Sequence, residues 1–328
     1  MAADKQAPGK AFRKGISLKK FIKTHPTDAQ AEQWFIRNRW PKGVHCPKCG
    51  SFNVQKGCKH PTMPFRCREK VCGRPFFSTK TGTVMEGSKL GCQDWIIAMF
   101  LVTTSLKGVA SMKLHRDLDV TQKTAWFLAH RLRDALSQNG NQFSGPVEVD
   151  ETYMGGRRKN MPKSKREKMS GRGPVGKTAV VGAKDRETNQ VAAKVVESTD
   201  KDTLQGFVED HAAKGAKVYT DDHGSYEGMK FDHDTVKHSL KEYVKGDVHT
   251  NGIESLWSML KRAHKGTFHK MSPKHLDRYV QEFAGRHNMR ERNTEDQLVA
   301  MRDGMDGKRL KYKTLIKSNG LDSGARAA

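Results

Sequence analysis

The sequence predicts a multidomain α+β protein, and three observations in successive parts of the chain support this fold class. Four cysteines stand in two close pairs between residues 46 and 72. Apolar residues at helical spacing dominate residues 93–136. Beyond residue 146, short β-type runs alternate with helical stretches, a pattern typical of an α/β domain. The 328 residues have room for about two domains of ordinary size.

Charge indicates the class of partner. The chain has 60 Lys+Arg against 36 Asp+Glu, a net charge of +24 and a pI near 9.8. A polyanion such as nucleic acid or an anionic membrane is therefore expected, with a solvated basic surface as the alternative. The longest apolar run, residues 95–102, is too short for a membrane span of about twenty residues. The basic first 15 residues lack the apolar segment of a secretory signal, so a cytoplasmic location is expected.

The N-terminal residues are predicted to form a basic arm and two short helices. Residues 1–17 are rich in Lys, Ala and Gly with little to bury, so we expect disorder there. Residues 18–40 carry apolar residues at helical spacing, interrupted at Pro26. Thr27 is placed to cap the second of these helices.

Residues 41–80 contain a C-x2-C…C-x4-C pattern, with a glycine after each pair. Four thiolates suit the tetrahedral coordination of Zn²⁺, whereas buried free cysteines would not predict two close pairs. The pattern therefore predicts a zinc ribbon holding one structural Zn²⁺. Ribbons bind nucleic acid, bind protein or only stabilise a small domain, and basic residues near the second pair favour DNA. The predicted zinc ligands are Cys46, Cys49, Cys67 and Cys72.

Residues 90–140 are predicted to be helical and to include a helix-turn-helix-like, DNA-binding pair at 109–136. Thr121 is a plausible cap for the second helix of the pair, whose first turn would be exposed to base edges. Asp119 stands where a turn glycine is common, and a hairpin that only packs helices together is the alternative. The residues predicted to contact DNA from this turn are Gln122, Lys123 and Thr124.

An α/β domain is predicted for residues 145–288, followed by a basic C-terminal tail over 289–328. An insertion at 155–177 is rich in Lys, Arg and Gly with almost no apolar residues, so we expect a flexible basic loop. The predicted strands lie near residues 147–150, 178–182, 191–196, 217–220 and 235–238, with a helix at 202–214.

Three acidic residues occupy positions that could form a metal site. Alternation places Glu148 and Asp150 on one strand face, Asp221 closes another strand, and Glu254 borders the apolar stripe of a helix. A carboxylate cluster is unfavourable without cations, and its oxygens suit Mg²⁺ or Mn²⁺. Two ions about 3.5–4 Å apart can support phosphodiester displacement. Lys261, two helical turns after Glu254, could hold a phosphate, as could the adjacent Arg262.

Spacing alone leaves these assignments open. An acidic residue taken singly is more commonly a surface residue or a helix cap. Asp222 could exchange roles with Asp221, and Glu148 and Glu151 flank Asp150.

The three candidate acids lie in three longer segments. They are Val-Glu-Val-Asp-Glu-Thr-Tyr-Met-Gly-Gly at 147–156, Val-Tyr-Thr-Asp-Asp-His-Gly-Ser-Tyr at 218–226 and His-Thr-Asn-Gly-Ile-Glu-Ser-Leu-Trp-Ser-Met-Leu-Lys-Arg at 249–262. Together these segments resemble the DDE transposases of bacterial insertion sequences that carry an N-terminal zinc ribbon. The resemblance extends from about residue 21 to residue 288.

The resemblance implies a ribonuclease-H-like, retroviral-integrase-like catalytic domain with a mixed sheet. It implies binding to inverted-repeat DNA ends, hydrolysis at the transposon end, and attack of the freed 3′-hydroxyl on target DNA without a covalent enzyme intermediate. It assigns Asp150, Asp221 and Glu254 to two Mg²⁺ or Mn²⁺ ions. Some relatives carry Asn as the third member, so Asn251 is an alternative.

The same resemblance implies how the remaining basic segments act. Lys261, Arg262, Arg157 and Arg158 would contact DNA. The loop at 155–177 and the tail at 286–317 would bind phosphates without reading sequence. Pairing two ends implies at least a homodimer in the DNA complex, associated with the bacterial nucleoid. Two rivals stay open: a DNA-binding regulator with an inert α/β domain, and a metal-dependent nuclease for branched or RNA-containing duplexes that does not join strands.

Overall fold

The computed structural model describes residues 15–137, 142–156, 158–167, 169–171, 173–236 and 249–323. Its residues form two compact units. Of the described residues, the first unit contains those up to Leu136 together with Met289–Lys317, and the second contains those within Ser137–Asn288 and from Ser318 to 323. Most of the second unit therefore lies, in chain order, between two parts of the first.

The helices and strands follow one another in mixed order. The helices are α1 (Leu18–Thr24), α2 (Asp28–Arg39), α3 (Cys92–Thr104), α4 (Ser111–Asp117), α5 (Gln122–Leu136), α6 (Lys163–Glu167), α7 (Lys201–His211), α8 (Asn251–Ala263), α9 (Pro273–Asn288), α10 (Thr294–Asp303) and α11 (Tyr312–Ile316). The strands are β1 (Val54–Lys56), β2 (Phe65–Cys67), β3 (Phe76–Phe77), β4 (Val147–Met154), β5 (Thr178–Asp185), β6 (Val191–Val196), β7 (Lys217–Asp221) and β8 (Asp232–Val236).

The core of the first unit forms around α3. Trp95, Ile96 and Met99 on this helix are fully buried, and α2, α5 and α10 pack around them. Thr27 caps α2 as its position predicts, because its hydroxyl accepts a hydrogen bond from the Gln30 backbone N–H at 3.3 Å.

Residues 289–317 differ from the predicted basic tail, because they are a folded part of the first unit. Leu298 and Met301 of α10 are fully buried in its core, which accounts for the difference. The indole N–H of Trp34 donates to a Glu295 carboxylate oxygen at 2.6 Å. Arg39 lies 3.2 Å from Asp306. The residues predicted to bind phosphates in this segment are therefore part of a folded unit.

Strands β1, β2 and β3 form a small antiparallel sheet in that order, next to the cysteine pattern. Phe65 and Phe77 lie on neighbouring strands and contact the Trp40 ring, with centroid separations of 5.7 and 6.0 Å. These aromatic side chains give the module its own apolar core.

Five described strands of the second unit form a mixed sheet in the order β6-β5-β4-β7-β8. Strand β5 pairs antiparallel with β4 and β6, whereas β7 is parallel to both β4 and β8. This arrangement is compatible with a ribonuclease-H-like domain. The predicted strands and the helix before β7 lie close to their observed positions, although β5 extends to Asp185 and β8 begins at Asp232.

The two faces of this sheet have separate apolar cores. On one face, Val147 and Val149 pack against Leu204 and Phe207 of α7. On the other, Val180 and Val191 pack with α8 and α9. Glu148 and Asp150 share the other face of β4, as alternation predicts, and this face packs against α8. Among the described residues, we find no helix with the length and apolar character that crossing a bilayer requires.

The insertion predicted as a flexible basic loop contains short helical segments, Arg158–Asn160 and α6. The Arg158 guanidinium donates to the carbonyls of Gly171 and Met169, so this side chain holds together two parts of the insertion. Arg157, the other predicted DNA contact there, lies outside the described residues. The residues before position 15, most of the predicted basic arm, also lie outside them.

Candidate functional sites

The parallel pairing of β4 with β7 brings two predicted metal ligands together. Val147 pairs with Val218 and Glu148 with Tyr219, and the same register carried further along both strands aligns Asp150 with Asp221. Asp150, Glu151 and Asp221 each offer a carboxylate oxygen within 4.8 Å of the others. Three acidic groups this close are unfavourable unless they bind protons or cations, and oxygen donors of this kind suit Mg²⁺ or Mn²⁺.

Glu151 belongs to this group, although the sequence motifs predict Asp150, Asp221 and Glu254 as the metal ligands. Its side chain is 6% exposed. Tyr226 donates a hydrogen bond to its Oε2 at 3.0 Å, and His223 Nε2 lies 3.9 Å from its Oε1. Burial and the charge of Asp221 raise the pKa of Glu151. Tyr226 and His223 both follow Asp221 closely in the chain. Their contacts with Glu151 therefore hold its side chain beside the acidic cluster.

Glu254 has a different position from the three clustered acids. It lies on the exposed side of α8 and accepts a hydrogen bond from the Thr250 hydroxyl at 3.2 Å. It borders the same open pocket as Asp150, and its charge contributes to raising the pKa of that group. The role of Glu254 as a third metal ligand stays a prediction. Asn251 is exposed at the first position of α8.

A buried glutamate fixes the start of α8. Glu148 is 1% exposed and accepts a hydrogen bond from the Ile253 backbone N–H at 2.9 Å. The Arg186 guanidinium donates to its other oxygen at 2.8 Å and to the His249 carbonyl at 2.6 Å. A Cβ on Gly252 would lie 2.6 Å from the Glu148 carboxylate, so a side chain at this position would force that carboxylate to shift. A negative charge at a helix N-terminus is favourable, and here it orients the helix that carries Glu254.

Asp150 is held by the same helix through an indole. The Trp257 Nε1–H donates to Asp150 Oδ2 at 3.0 Å. Trp257 can lie this close to the sheet because Gly182, the residue paired with Asp150 on β5, has no side chain. The hydrogen bond fixes the orientation of the Asp150 carboxylate within the acidic cluster.

We expect Gly182→Ala to destabilise the second unit by about 1–3 kcal/mol, since it overpacks this contact. The new Cβ would lie 2.6 Å from the Trp257 ring, which is rigid and buried. Thermal or urea denaturation measures the change. Gly206→Ala on α7 is the matched control, because its Cβ would meet no atom within 4 Å. Equal stability of the two variants would contradict the packing argument.

Basic side chains border the acidic site. An open pocket of about 520 Å³ is lined by Asp150 and Glu254 on its acidic side. Its basic side is formed by Lys261, Arg262 and Lys265. All three cations are exposed, so a polyanion could reach them. The predicted proximity of Lys261 and Arg262 to the acidic residues is thus observed, whereas their contact with DNA stays a prediction.

Stability of the metal-free protein should fall as pH rises from about 4 to about 8. Burial, with the charges of Glu151 and Asp221, raises the pKa of Asp150 from its ordinary 3.8 to about 8. Between these values the folded state binds a proton that the unfolded chain lacks, so a rise in pH favours unfolding. Thermal melts at pH 5 and pH 8 should show this loss, and Mg²⁺ should reduce it. If Asp150→Asn kept the full pH dependence, Asp150 would not be its source.

The four predicted zinc ligands form a second cluster. The sulfur atoms of Cys46, Cys49, Cys67 and Cys72 all lie within 4.8 Å of one another. The Cys46–Cys72 and Cys49–Cys67 sulfur pairs are each 3.7 Å apart. Tetrahedral zinc with Zn–S bonds of about 2.3 Å separates its sulfurs by about 3.8 Å, whereas a disulfide needs about 2.05 Å. The donor set and its spacing therefore fit Zn²⁺.

Helices α4 and α5 meet at the turn that the sequence predicts. Asp119 has a φ of 50°, in the left-handed region. Glycine is common at this position of the turn, and Asp tolerates the same conformation better than most residues. Thr121 accepts a hydrogen bond from the Thr124 backbone N–H at 3.2 Å and so caps α5. Gln122 and Lys123 are exposed on the first turn, and Thr124 is half-buried. DNA reading by this turn stays a prediction.

Comparison with known proteins shows similarity to proteins of transposable elements. Residues 142–288 match the model of the ISXO2-like transposase domain. The chain is also 29% identical over 256 residues to a protein of Halobacterium salinarum described as an uncharacterized protein in transposable element ISH50. The match covers 74% of this chain and 84% of that protein, so it extends beyond the second unit.

Proposed function

We propose that the protein is a metal-dependent DNA transposase, because residues 142–288 match the model of the ISXO2-like transposase domain. It binds the inverted-repeat ends of an insertion sequence, cleaves them and transfers the freed 3′ ends to target DNA. The observation that carries the proposal is the acidic cluster of Asp150, Glu151 and Asp221 beside a pocket with three exposed cations. The pocket thus combines metal-binding and phosphate-binding groups.

Asp150 and Asp221 would hold the divalent ions, with Glu151 in the cluster and Glu254 at the pocket border as further oxygen donors. When bound, Mg²⁺ or Mn²⁺ increases the reactivity of the attacking oxygen and stabilises the charge on the leaving oxygen. Trp257 orients Asp150, while Tyr226 fixes Glu151.

Basic residues of α8 would position the DNA. Lys261 and Arg262 border the pocket and would contact phosphates next to the scissile bond. The helix itself is oriented by Glu148 through the Ile253 backbone N–H. The position of the DNA and the orientation of the metal ligand Asp150 would therefore both depend on α8.

Sequence recognition is assigned to the first unit. The cysteine cluster would bind structural Zn²⁺, and the first turn of α5 would contact base edges. Binding two transposon ends in one complex would require at least two copies of the chain. Affinity should fall steeply with salt, because phosphate contacts release counterions.

A strand-transfer assay tests the function directly. The full-length protein is incubated with Mg²⁺, target plasmid and labelled DNA carrying the inverted repeats that flank its gene. A transposase joins the labelled 3′ end to the target. A regulator with an inert domain would bind the ends without cleaving them, and a nuclease would cleave without joining. Either of those results would contradict the proposal.

A further inference from the structure

A second pocket lies in the first unit, beside the N-terminal turn of α5. Its volume is about 600 Å³, within the range of about 300–1,000 Å³ that small-ligand pockets occupy. Its lining is mainly apolar, and the rings of Trp95, Phe127 and Tyr312 contribute to it. Thr121 and Thr124 of the predicted recognition turn also line it. The pocket therefore opens where α5 is predicted to meet DNA.

Charge around this pocket suits a nucleic acid. Lys89 and Lys123 line it and are exposed, and Arg131 adds a third cation against one acid, Asp119. The Arg131 guanidinium lies 4.2 Å from the Phe127 ring centroid. Lys123 Nζ lies 4.7 Å from the Tyr312 ring centroid. Proteins that bind single-stranded nucleic acids combine aromatic side chains, on which bases stack, with neighbouring cations, which contact phosphates.

The aromatic walls are held in place before any ligand binds. Arg131 donates hydrogen bonds to the carbonyls of Leu310 and Glu86, at 3.3 and 3.2 Å. Lys308 donates to the carbonyl of Asp134 on α5 at 2.9 Å. These bonds attach the segment before α11 to α5, so Tyr312 stands over the first turn, with its ring 5.4 Å from Phe127. A preformed pocket has less ordering entropy to lose on binding.

We propose that this pocket binds one unpaired nucleobase of the DNA, with the adjoining phosphates near Lys89 and Lys123. The ring planes of Tyr312 and Phe127 are 82° apart, so a base stacked on Tyr312 makes an edge-to-face contact with Phe127. The proposal rests on the DNA binding assigned to the first unit above. Extruding a base from a duplex is costly, and the cost is smallest for a base that is already unpaired. A duplex with one unpaired base should therefore bind more tightly than its fully paired counterpart.

The test uses the full-length protein without added Mg²⁺ and two duplexes of one sequence, one fully paired and one with a single bulged 2-aminopurine. Anisotropy gives both affinities at one salt concentration, and 2-aminopurine emission reports stacking. The bulged duplex should bind about tenfold more tightly, and its emission should be quenched. Tyr312→Ser and Phe127→Leu should each abolish this preference while keeping the affinity for the paired duplex. Tyr312→Phe, which keeps the ring, should preserve it.

The remaining outcomes overturn the proposal in distinguishable ways. Equal wild-type affinity for the two duplexes would reject a base-binding pocket and leave an apolar protein side chain as its occupant. A preference that persists in both Tyr312→Ser and Phe127→Leu would place base binding elsewhere. Failure to bind either duplex would reject DNA binding itself, and with it the proposed function.

Discussion

Asp150→Asn is expected to abolish DNA cleavage and strand transfer while leaving DNA binding intact. Asn is nearly the same size and can still accept the hydrogen bond from Trp257 through its amide oxygen, so the fold should persist. It removes one anionic ligand from a cluster whose oxygens lie within 4.8 Å of one another. Cleavage should fall about a thousandfold or more, because metal ions contribute several kcal/mol and each tenfold corresponds to about 1.4 kcal/mol.

The measurement combines a cleavage assay on end DNA, a binding assay on the same DNA and Mn²⁺ titration by calorimetry or electron paramagnetic resonance. Asp202→Asn is the matched control, because Asp202 is exposed on α7, outside the cluster. It should behave as wild type in all three assays. Loss of DNA binding together with cleavage in the Asp150 variant would instead indicate a structural role.

Cys49→Ser is expected to release zinc and unfold the module around β1–β3. The three strands are only two or three residues long, so the cysteine cluster must supply much of the stability of this sheet. Structural zinc contributes on the order of 10 kcal/mol to the folding of such small modules. Metal analysis should find about one equivalent of zinc per chain less than in the wild type. Limited proteolysis should cut residues 41–80.

Cys58→Ser is the internal control for this experiment. Cys58 lies in the same module but outside the group of four sulfur atoms, and its thiol only approaches the Gln55 carbonyl at 3.7 Å. Zinc content should therefore stay unchanged in this variant. Unaltered zinc content in Cys49→Ser would disprove the assignment of that cysteine.

Local patterns predicted much of the architecture because they report local preferences. β-Branched runs identified the strands of the large sheet, and alternation correctly placed Asp150 on the strand face opposite Val147 and Val149. Cap chemistry located Thr27 and Thr121. Register could not be predicted this way, since the alignment of Asp150 with Asp221 depends on pairing between distant strands.

The missed features depend on tertiary contacts. The burial of Glu148 requires Arg186 and the N-terminus of α8, which are far from it in sequence. Glu151 joins the acidic cluster although alternation places it on the opposite face from Asp150, because it lies where β4 passes the end of β7. Helix α10 was not predicted, because charged residues surround its apolar positions in the sequence.

The insertion of the second unit within the first has a consequence for protein synthesis. Residues 289–317 leave the ribosome after Ser137–Asn288, the larger part of the second unit, yet α10 completes the core around Met99. A nascent chain stopped before this helix exposes apolar side chains that bind chaperones and proteases. We therefore expect chains that end before α10 to be degraded faster than the complete chain.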